Sequence, residues 1–211
     1  DYLWLPLAAC RYLQVTGDLG VLDEKVRYIE GRPVNADEES YYDLPVASNL
    51  QQPLYDHCVL ALKRGTGLLG ERGLPLIGTG DWNDGMNRVG EAGRGTSVWL
   101  GWFLAGTLRA FAGIARERGD HGRADAWEGH LGHLKQALET AGWDGAYYRR
   151  GTFDDGTPLG SAQNAECRID SIAQSWSVLS GEGDAERSRQ AMDAVLENLV
   201  DRENGIIRLF T

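Results

Sequence analysis

The sequence predicts an all-α fold built from helical hairpins. Three observations favour it: apolar residues recur every three or four positions over most of the chain, glycines fall mainly between these periodic segments, and strand-like alternation is short. Glycine supplies 28 of the 211 residues, about twice the usual share. A succession of helix, short glycine turn, helix and long loop is typical of stacked helical hairpins.

Three helices are predicted in the first third of the chain. The first runs over Asp1–Gly17, where apolar residues keep helical spacing. The second follows a cap at Asp18 and runs to Ile29. A polar stretch over 32–48 leads to Pro53, which suits the first turn of a third helix ending within Gly65–Gly67.

Four more helices complete the predicted set of seven. A Thr96/Ser97 cap begins a long helix that runs to Gly119, and the others cover Ala124–Thr140, Ile169–Leu179 and Ala185–Leu199. Strand signals are limited to a small hairpin of 145–150 with 151–153 and a short extended end at Ile206–Ile207. The long loops 32–48, 70–95 and 142–168 are where function is expected, because loops on a rigid scaffold usually carry it.

Charge and cysteine content exclude several classes of partner. Asp and Glu total 31 against 21 Lys and Arg, a formal charge of −10, which disfavours nucleic acid and anionic membrane surfaces. No apolar run approaches the roughly 20 residues of a membrane span. Cys10, Cys58 and Cys167 are far apart and contain no closely spaced pair, which predicts neither disulfide nor zinc site and indicates a reducing compartment.

The most informative window is 74–88, which holds two aspartates, two asparagines, a tryptophan and several glycines without any helical or strand period. One interpretation is a turn whose side chains cap its own backbone. A calcium loop fails in register, because Gly85 and Ala92 stand where such a loop needs ligands. A sugar site is the third interpretation, since an indole offers a flat apolar platform and short carboxylates and amides bind hydroxyls.

Other aromatic and histidine residues have simpler interpretations. Four tryptophans on helices are expected to pack in the core: Trp99, Trp102, Trp127 and Trp176. His130 and His133 share a helix face, but no third ligand is evident, so no metal site is predicted.

Two motifs resemble glycoside hydrolase family 94. They are Gly80-Asp81-Trp82-Asn83-Asp84-Gly85-Met86-Asn87, followed by Ser97-Val98-Trp99-Leu100-Gly101-Trp102-Phe103, and Glu166-Cys167-Arg168-Ile169-Asp170-Ser171-Ile172-Ala173-Gln174-Ser175-Trp176. That family comprises inverting phosphorylases of cellobiose, chitobiose and β-1,2-glucans, together with the carboxy-terminal region of cyclic β-1,2-glucan synthetases, which this chain resembles most.

The resemblance implies an (α/α)6 barrel catalytic domain, of which residues 1–211 would form a single fragment, about half. It maps the general acid onto Asp84 and a donor-sugar contact onto Trp82, with Asp81 as support or sugar ligand and Asn83 beside them. Glu166 matches a position associated with the acceptor sugar, and Arg168 and Gln174 are weaker neighbours. Inorganic phosphate would be co-substrate with no cofactor, bound by residues outside this chain, so the isolated fragment is expected to be inactive.

The implied partners are a β-glucan oligosaccharide, α-glucose 1-phosphate and the remainder of a parent polypeptide, and a homodimer is a further expectation. The implied location is cytoplasmic, as a free protein or as the cytoplasmic region of a bacterial inner-membrane protein. Two alternatives stay open: an inverting hydrolase that uses water and a second carboxylate as base, and a non-catalytic helical module that binds glucan.

Overall fold

The computed structural model describes residues 1–35, 38 and 41–211, and of Asp84 it describes the backbone alone. Within these residues helices are the commonest secondary structure, and small sheets and loops join them. The elements in chain order are α1 Trp4–Thr16, β1 Lys25–Glu30, β2 Val46–Pro53, α2 Leu54–Gly67, β3 Thr96–Ser97, α3 Val98–Glu117, α4 His121–Thr140, β4 Gly151–Thr152, β5 Pro158–Leu159, α5 Ser171–Leu179, α6 Ala185–Asn198, β6 Val200–Asp201 and β7 Ile206–Ile207. The chain divides into two compact units, residues 2–64 and residue 1 with 65–211.

The first unit departs from the predictions after its first helix. Helix α1 ends at Gly17, whose φ of 69° gives the left-handed cap that glycine favours, as predicted. The helix predicted for Asp18–Ile29 does not form; a 3-10 turn over Leu19–Asp23 leads instead into strand β1. Strand β1 pairs antiparallel with β2, part of which lies in the stretch interpreted as a polar loop. Aromatic and β-branched residues in β1 favour a strand, and pairing with β2 supplies the hydrogen bonds that a helix would have made.

The second unit contains the four helices predicted after residue 95. Each begins after a residue whose side chain accepts a backbone N–H of the first turn: Ser97, Asp120, Asp170 and Asp184. Such caps satisfy donors that the helix leaves unpaired. Helix α3 is the centre of this unit, with most of its apolar residues buried, and it packs mainly against α4 and also against α5.

A three-stranded sheet in the order β3-β4-β5 lies at the start of α3. The predicted hairpin is therefore misplaced, because β4 pairs with β3 and β5, and 145–150 contributes only an isolated bridge between Trp143 and Tyr148. Gly151 allows the close approach of β4 to β3, since a Cβ there would lie 2.0 Å from the carbonyl oxygen of Thr96. The short strand predicted at Ile206–Ile207 is present and pairs with β6.

By length and mean hydropathy, α3 is the one helix in the described part of the chain that could cross a membrane. No apolar run of that length was expected from the sequence. Two-thirds of its apolar window, 67%, is buried inside the protein, which is the pattern of a core helix.

Candidate active site

The loop that carries the first motif is anchored by a buried carboxylate. The side chain of Asp81 is fully buried, and its Oδ1 lies 2.6 Å from Nη2 of Arg150. Its Oδ2 accepts a hydrogen bond from Oγ of Ser97 at 2.6 Å, and its Oδ1 also accepts the backbone N–H of Asn83 at 3.2 Å. Both oxygens of Asp81 are therefore occupied by groups of the protein.

Ser97 connects this loop to the fold. Its Oγ donates to Asp81, accepts from Nη1 of Arg150 at 3.0 Å, and accepts the N–H of Leu100 at 3.1 Å as the cap of α3. The same residue pairs with Gly151 in the sheet. One hydroxyl thus joins the loop, the sheet and the first turn of the central helix.

Trp82 follows Asp81 and has 42% of its surface exposed. Its ring meets Trp99 edge-on, with ring centroids 6.5 Å apart and an angle of 66°. Trp99 in turn meets the half-buried Trp176 of α5 at 5.9 Å. An exposed indole supported by a buried one is a platform that a sugar face can cover. The expected core packing holds for Trp99, Trp102 and Trp127, whereas Trp176 lies at the edge of this cluster.

Asn83 shapes the backbone at the predicted acid. Its Oδ1 accepts the N–H of Gly85 at 3.0 Å and caps the 3-10 turn Asp84–Met86. The amide is thereby used for the local turn, which agrees with one of the three interpretations of this window. The backbone of Asp84 begins the turn, while its side chain lies outside the described part of the structure.

Arg150 lies between the two motifs. Besides its contacts to Asp81 and Ser97, its Nε lies 3.4 Å from Oδ2 of Asp170, and both side chains are buried. The pKa of Asp170 is raised from 3.8 to about 6, chiefly because the carboxyl is buried. The charge of Arg150 and the N–H of Ile172 act against this rise, and the charge of nearby Asp81 adds to it. Desolvation outweighs these opposing interactions, because the 3.4 Å contact is longer than a good charged hydrogen bond.

The second motif is held by backbone contacts. The N–H groups of Cys167 and Arg168 bond to the carbonyl oxygen and to Oγ1 of Thr211, and the carbonyl of Arg168 accepts the hydroxyl of Tyr147. Cys167 has a φ of 49°, in the left-handed region that residues with a Cβ rarely adopt. Glu166 and Arg168, on either side of it, are exposed.

Gln174 is fully buried, and its amide bonds to backbone on both sides. Its Oε1 accepts the N–H of Tyr148 at 2.8 Å, and its Nε2 donates to the carbonyls of Tyr148 and Asp170 at 2.6 and 2.9 Å. These bonds hold the 143–148 turn against α5. These hydrogen bonds give the amide of Gln174 a structural role, and its contact with the sugar stays a prediction.

A cavity of about 440 Å³ lies elsewhere in the second unit, lined by loop segments around residues 69–72, 93–96 and 152–156. Its wall includes Asp154, whose carboxylate accepts the N–H groups of Ala92, Arg94 and Gly95 at 2.7 to 2.8 Å. These bonds lower the pKa of Asp154. No residue of the Asp81–Asp84 loop lines this cavity, so it is separate from the site that the motifs indicate.

Sequence reasoning missed Arg150. It stands 69 residues from Asp81 and 53 from Ser97, and no local pattern links positions so far apart. Its only sequence signal is the second Arg of Tyr147-Tyr148-Arg149-Arg150, which was assigned to a strand. Within the described residues there is no group of three or more His, Cys, Asp or Glu side chains arranged to hold a metal.

Comparisons with known proteins bear on the whole chain. A family model described as "Glycosyl hydrolase 94 superfamily, catalytic domain" matches residues 1–211. Over 212 aligned residues the chain is 60% identical to the cyclic β-(1,2)-glucan synthase NdvB of Rhizobium meliloti (strain 1021), covering 100% of the chain and 8% of that protein. It is 33% identical to solabiose phosphorylase of Paenibacillus borealis and 29% identical to N,N'-diacetylchitobiose phosphorylase of Vibrio furnissii.

These relatives are much longer than the chain. The alignment with the solabiose phosphorylase covers 98% of this chain and 25% of that protein. The alignment with the diacetylchitobiose phosphorylase covers 94% of this chain and 22% of that protein. Among solved structures, a GH78 family rhamnosidase of Bacillus sp. GL1 matches 67% of this chain and 14% of its own, with a TM-score of 0.50 and 20% identity. That likeness bears on the fold alone.

Proposed function

Because the chain belongs to the glycosyl hydrolase 94 superfamily, we propose that it is part of a glycosyltransferase-type phosphorylase that cleaves β-glucans reversibly with inversion. The relatives named above include a cyclic β-(1,2)-glucan synthase and two disaccharide phosphorylases. The identity of 60% to the synthase favours β-1,2-linked glucan as the substrate.

The observation that carries the proposal is the buried state of Asp81. A general acid must reach the glycosidic oxygen, and the carboxylate of Asp81 is buried with both oxygens engaged by Arg150, Ser97 and a backbone N–H. Asp81 therefore acts as support, one of the two roles that the resemblance left open. Asp84, in the 3-10 turn three residues later, is left as the proton donor of this loop.

The surrounding residues divide between binding and support. Trp82 offers its exposed indole to the donor sugar, and Asn83 holds the turn that presents Asp84. Exposed Glu166 and Arg168 remain the proposed contacts of the acceptor sugar.

In this reaction an oxygen of phosphate attacks the anomeric carbon as the bond to the glycosidic oxygen breaks. Asp84 gives its proton to the departing oxygen, and the products are α-glucose 1-phosphate and a shortened glucan. Phosphate replaces the water and base of an inverting hydrolase, so one protein carboxylate is enough. The phosphate site, the full barrel and a homodimer would involve the rest of the parent polypeptide, and the cytoplasmic location stays a prediction.

The test measures phosphate release from α-glucose 1-phosphate and sophorose by the full-length parent protein. Asp84→Asn is expected to lower the rate by at least about a hundredfold, the scale of a lost general acid. The matched control is Asp193→Asn, which changes an exposed carboxylate paired with Arg189 on α6, and it is expected to leave the rate unchanged.

Each other outcome contradicts part of the proposal. Equal rates for wild type and Asp84→Asn would remove Asp84 from the mechanism. Glucose release from sophorose without phosphate would indicate the inverting hydrolase. No turnover by the wild type, with glucan binding unaffected by Asp84→Asn, would indicate a binding module.

A further inference from the structure

We propose that Arg150 is a positioning residue that fixes the segment of the proposed acid, 81–84, and the segment of the proposed acceptor contacts, 166–170, at one spacing. This inference rests on the proposed function for its catalytic consequence. Its structural content is that one guanidinium, buried between Asp81 and Asp170, connects two motifs that lie far apart in the sequence.

The contacts of Arg150 are unequal on its two sides. Toward the acid loop, Nη2 lies 2.6 Å from Asp81 and Nη1 lies 3.0 Å from Ser97, both within normal hydrogen-bond length. Toward the second motif, Nε and Oδ2 of Asp170 face each other at 3.4 Å, and neither has a hydrogen-bond partner among the described residues. Arg150 is therefore fixed to the acid loop and held electrostatically against the second motif.

Stability alone does not explain this cluster. Three ionisable side chains, those of Asp81, Arg150 and Asp170, lie together with almost no exposure to water. Burying charges is costly, and an apolar group of similar volume is often as stable or more so. A planar guanidinium differs from an apolar group because it can interact with two carboxylates at once, each in a fixed direction.

The second motif is tied to this cluster through Asp170. Its Oδ1 accepts the N–H of Ile172 as the cap of α5. Residues 166–168 precede Asp170 by only a few positions in the sequence. A shift of Arg150 would therefore move the start of α5 and the acceptor contacts relative to the acid loop.

Trp82 has a separate anchor, its edge-on contact with the buried Trp99. Loosening Arg150 should therefore displace Asp84 more than the sugar platform. A displacement of about 1 Å at a catalytic group can cost a hundredfold in rate, while binding by the platform is largely retained. The proposal thus predicts a fall in kcat with little change in KM for α-glucose 1-phosphate.

The experiment compares Arg150→Lys with Arg187→Lys in the full-length parent protein. Lysine keeps the positive charge but cannot reach two carboxylates in a fork. Arg187 is the matched control, because it also makes a double contact, to the carboxylate and the carbonyl of Glu139, at the junction of α4 and α6. Arg150→Lys is expected to lower kcat about a hundredfold with KM within about threefold, and Arg187→Lys to change neither.

A triple variant separates positioning from a merely structural role. Asp81→Asn and Asp170→Asn together with Arg150→Met remove all three buried charges at similar volume, so the protein is expected to fold. The positioning role predicts that kcat stays low in this folded variant, because nothing joins the two segments. Recovery of wild-type kcat together with thermal stability would overturn the proposal.

Hydrogen exchange measured by mass spectrometry tests the positioning without any activity. In Arg150→Lys, peptides that cover 81–88 and 166–170 are expected to exchange at least about tenfold faster, while α4 keeps its protection. Unchanged exchange in both segments would refute the positioning role. An inactive wild type would refute the proposed function, and the exchange result would still decide the role of Arg150.

Discussion

Replacing Asp170 by Asn should change how the stability of the protein depends on pH. The folded state raises the pKa of Asp170 from 3.8 to about 6, chiefly because the carboxyl is buried. The native state therefore binds more protons than the unfolded state between these values, and its stability falls as pH rises through the window. At about 1.4 kcal/mol per pKa unit, the loss is on the order of 3 kcal/mol, complete somewhat above pH 6.

Asn is nearly the same size as Asp and can still accept the N–H of Ile172 through its side-chain oxygen, so the cap of α5 is kept. Urea unfolding followed by tryptophan fluorescence, at intervals from about pH 4 to about pH 8, gives the free energy of unfolding of both forms. From the low to the high end of this range, the free energy of unfolding of Asp170→Asn should rise by about 3 kcal/mol relative to that of the wild type. A difference that is flat, or that favours the wild type as pH rises, would refute the reasoning.

Two further predictions concern the sheet and the indole platform. Gly151→Ala should destabilise the protein by roughly 2 kcal/mol or more in urea unfolding, because its Cβ would lie 2.0 Å from the carbonyl oxygen of Thr96. The control is Gly129→Ala on α4, which has open space at its Cβ and should stabilise the protein slightly. Equal effects of the two substitutions would contradict this explanation. Trp82→Ala should raise KM for α-glucose 1-phosphate about tenfold with little loss of thermal stability, since 42% of Trp82 is exposed. The comparison is Trp4→Ala, which removes a tryptophan of 47% exposure from α1, and a KM that rises equally in both would count against the platform.

The helices of the second unit could be predicted because their signals are local. Helix α3 combines an apolar period with a serine cap, and α5 and α6 each begin after an aspartate that accepts an N–H of the first turn. Each signal lies within a few residues of the structure it specifies, so one sequence is enough to recognise it.

Strand β1 could not be predicted in the same way. Its residues Lys25–Glu30 follow a good capping residue, Asp18, and only the pairing with β2 about twenty residues later decides between helix and strand. The sheet at Gly151 depends on a similar distant partner, β3, which explains why the predicted hairpin was placed wrongly.

In the candidate site, too, features with local signals could be predicted and features that depend on distant residues could not. The loop 80–87 is recognisable from its residues, and its exposed Trp82 and capping Asn83 follow from their local chemistry. The contacts of Asp81 depend on Arg150, a residue with no local motif, so the observation on which its proposed supporting role rests required the folded structure.

The most direct test of the central claim, that Asp84 donates the proton and Asp81 only supports it, uses two substrates and two variants of the full-length protein. Sophorose needs a proton on its leaving oxygen, whereas dinitrophenyl β-glucoside has a leaving group that needs none. Asp84→Asn should lose at least about a hundredfold in phosphorolysis of sophorose and stay near the wild type on the aryl glucoside. Asp81→Asn should lose activity on both substrates, because the loop itself is displaced; equal losses on both substrates for Asp84→Asn would contradict its role as the acid.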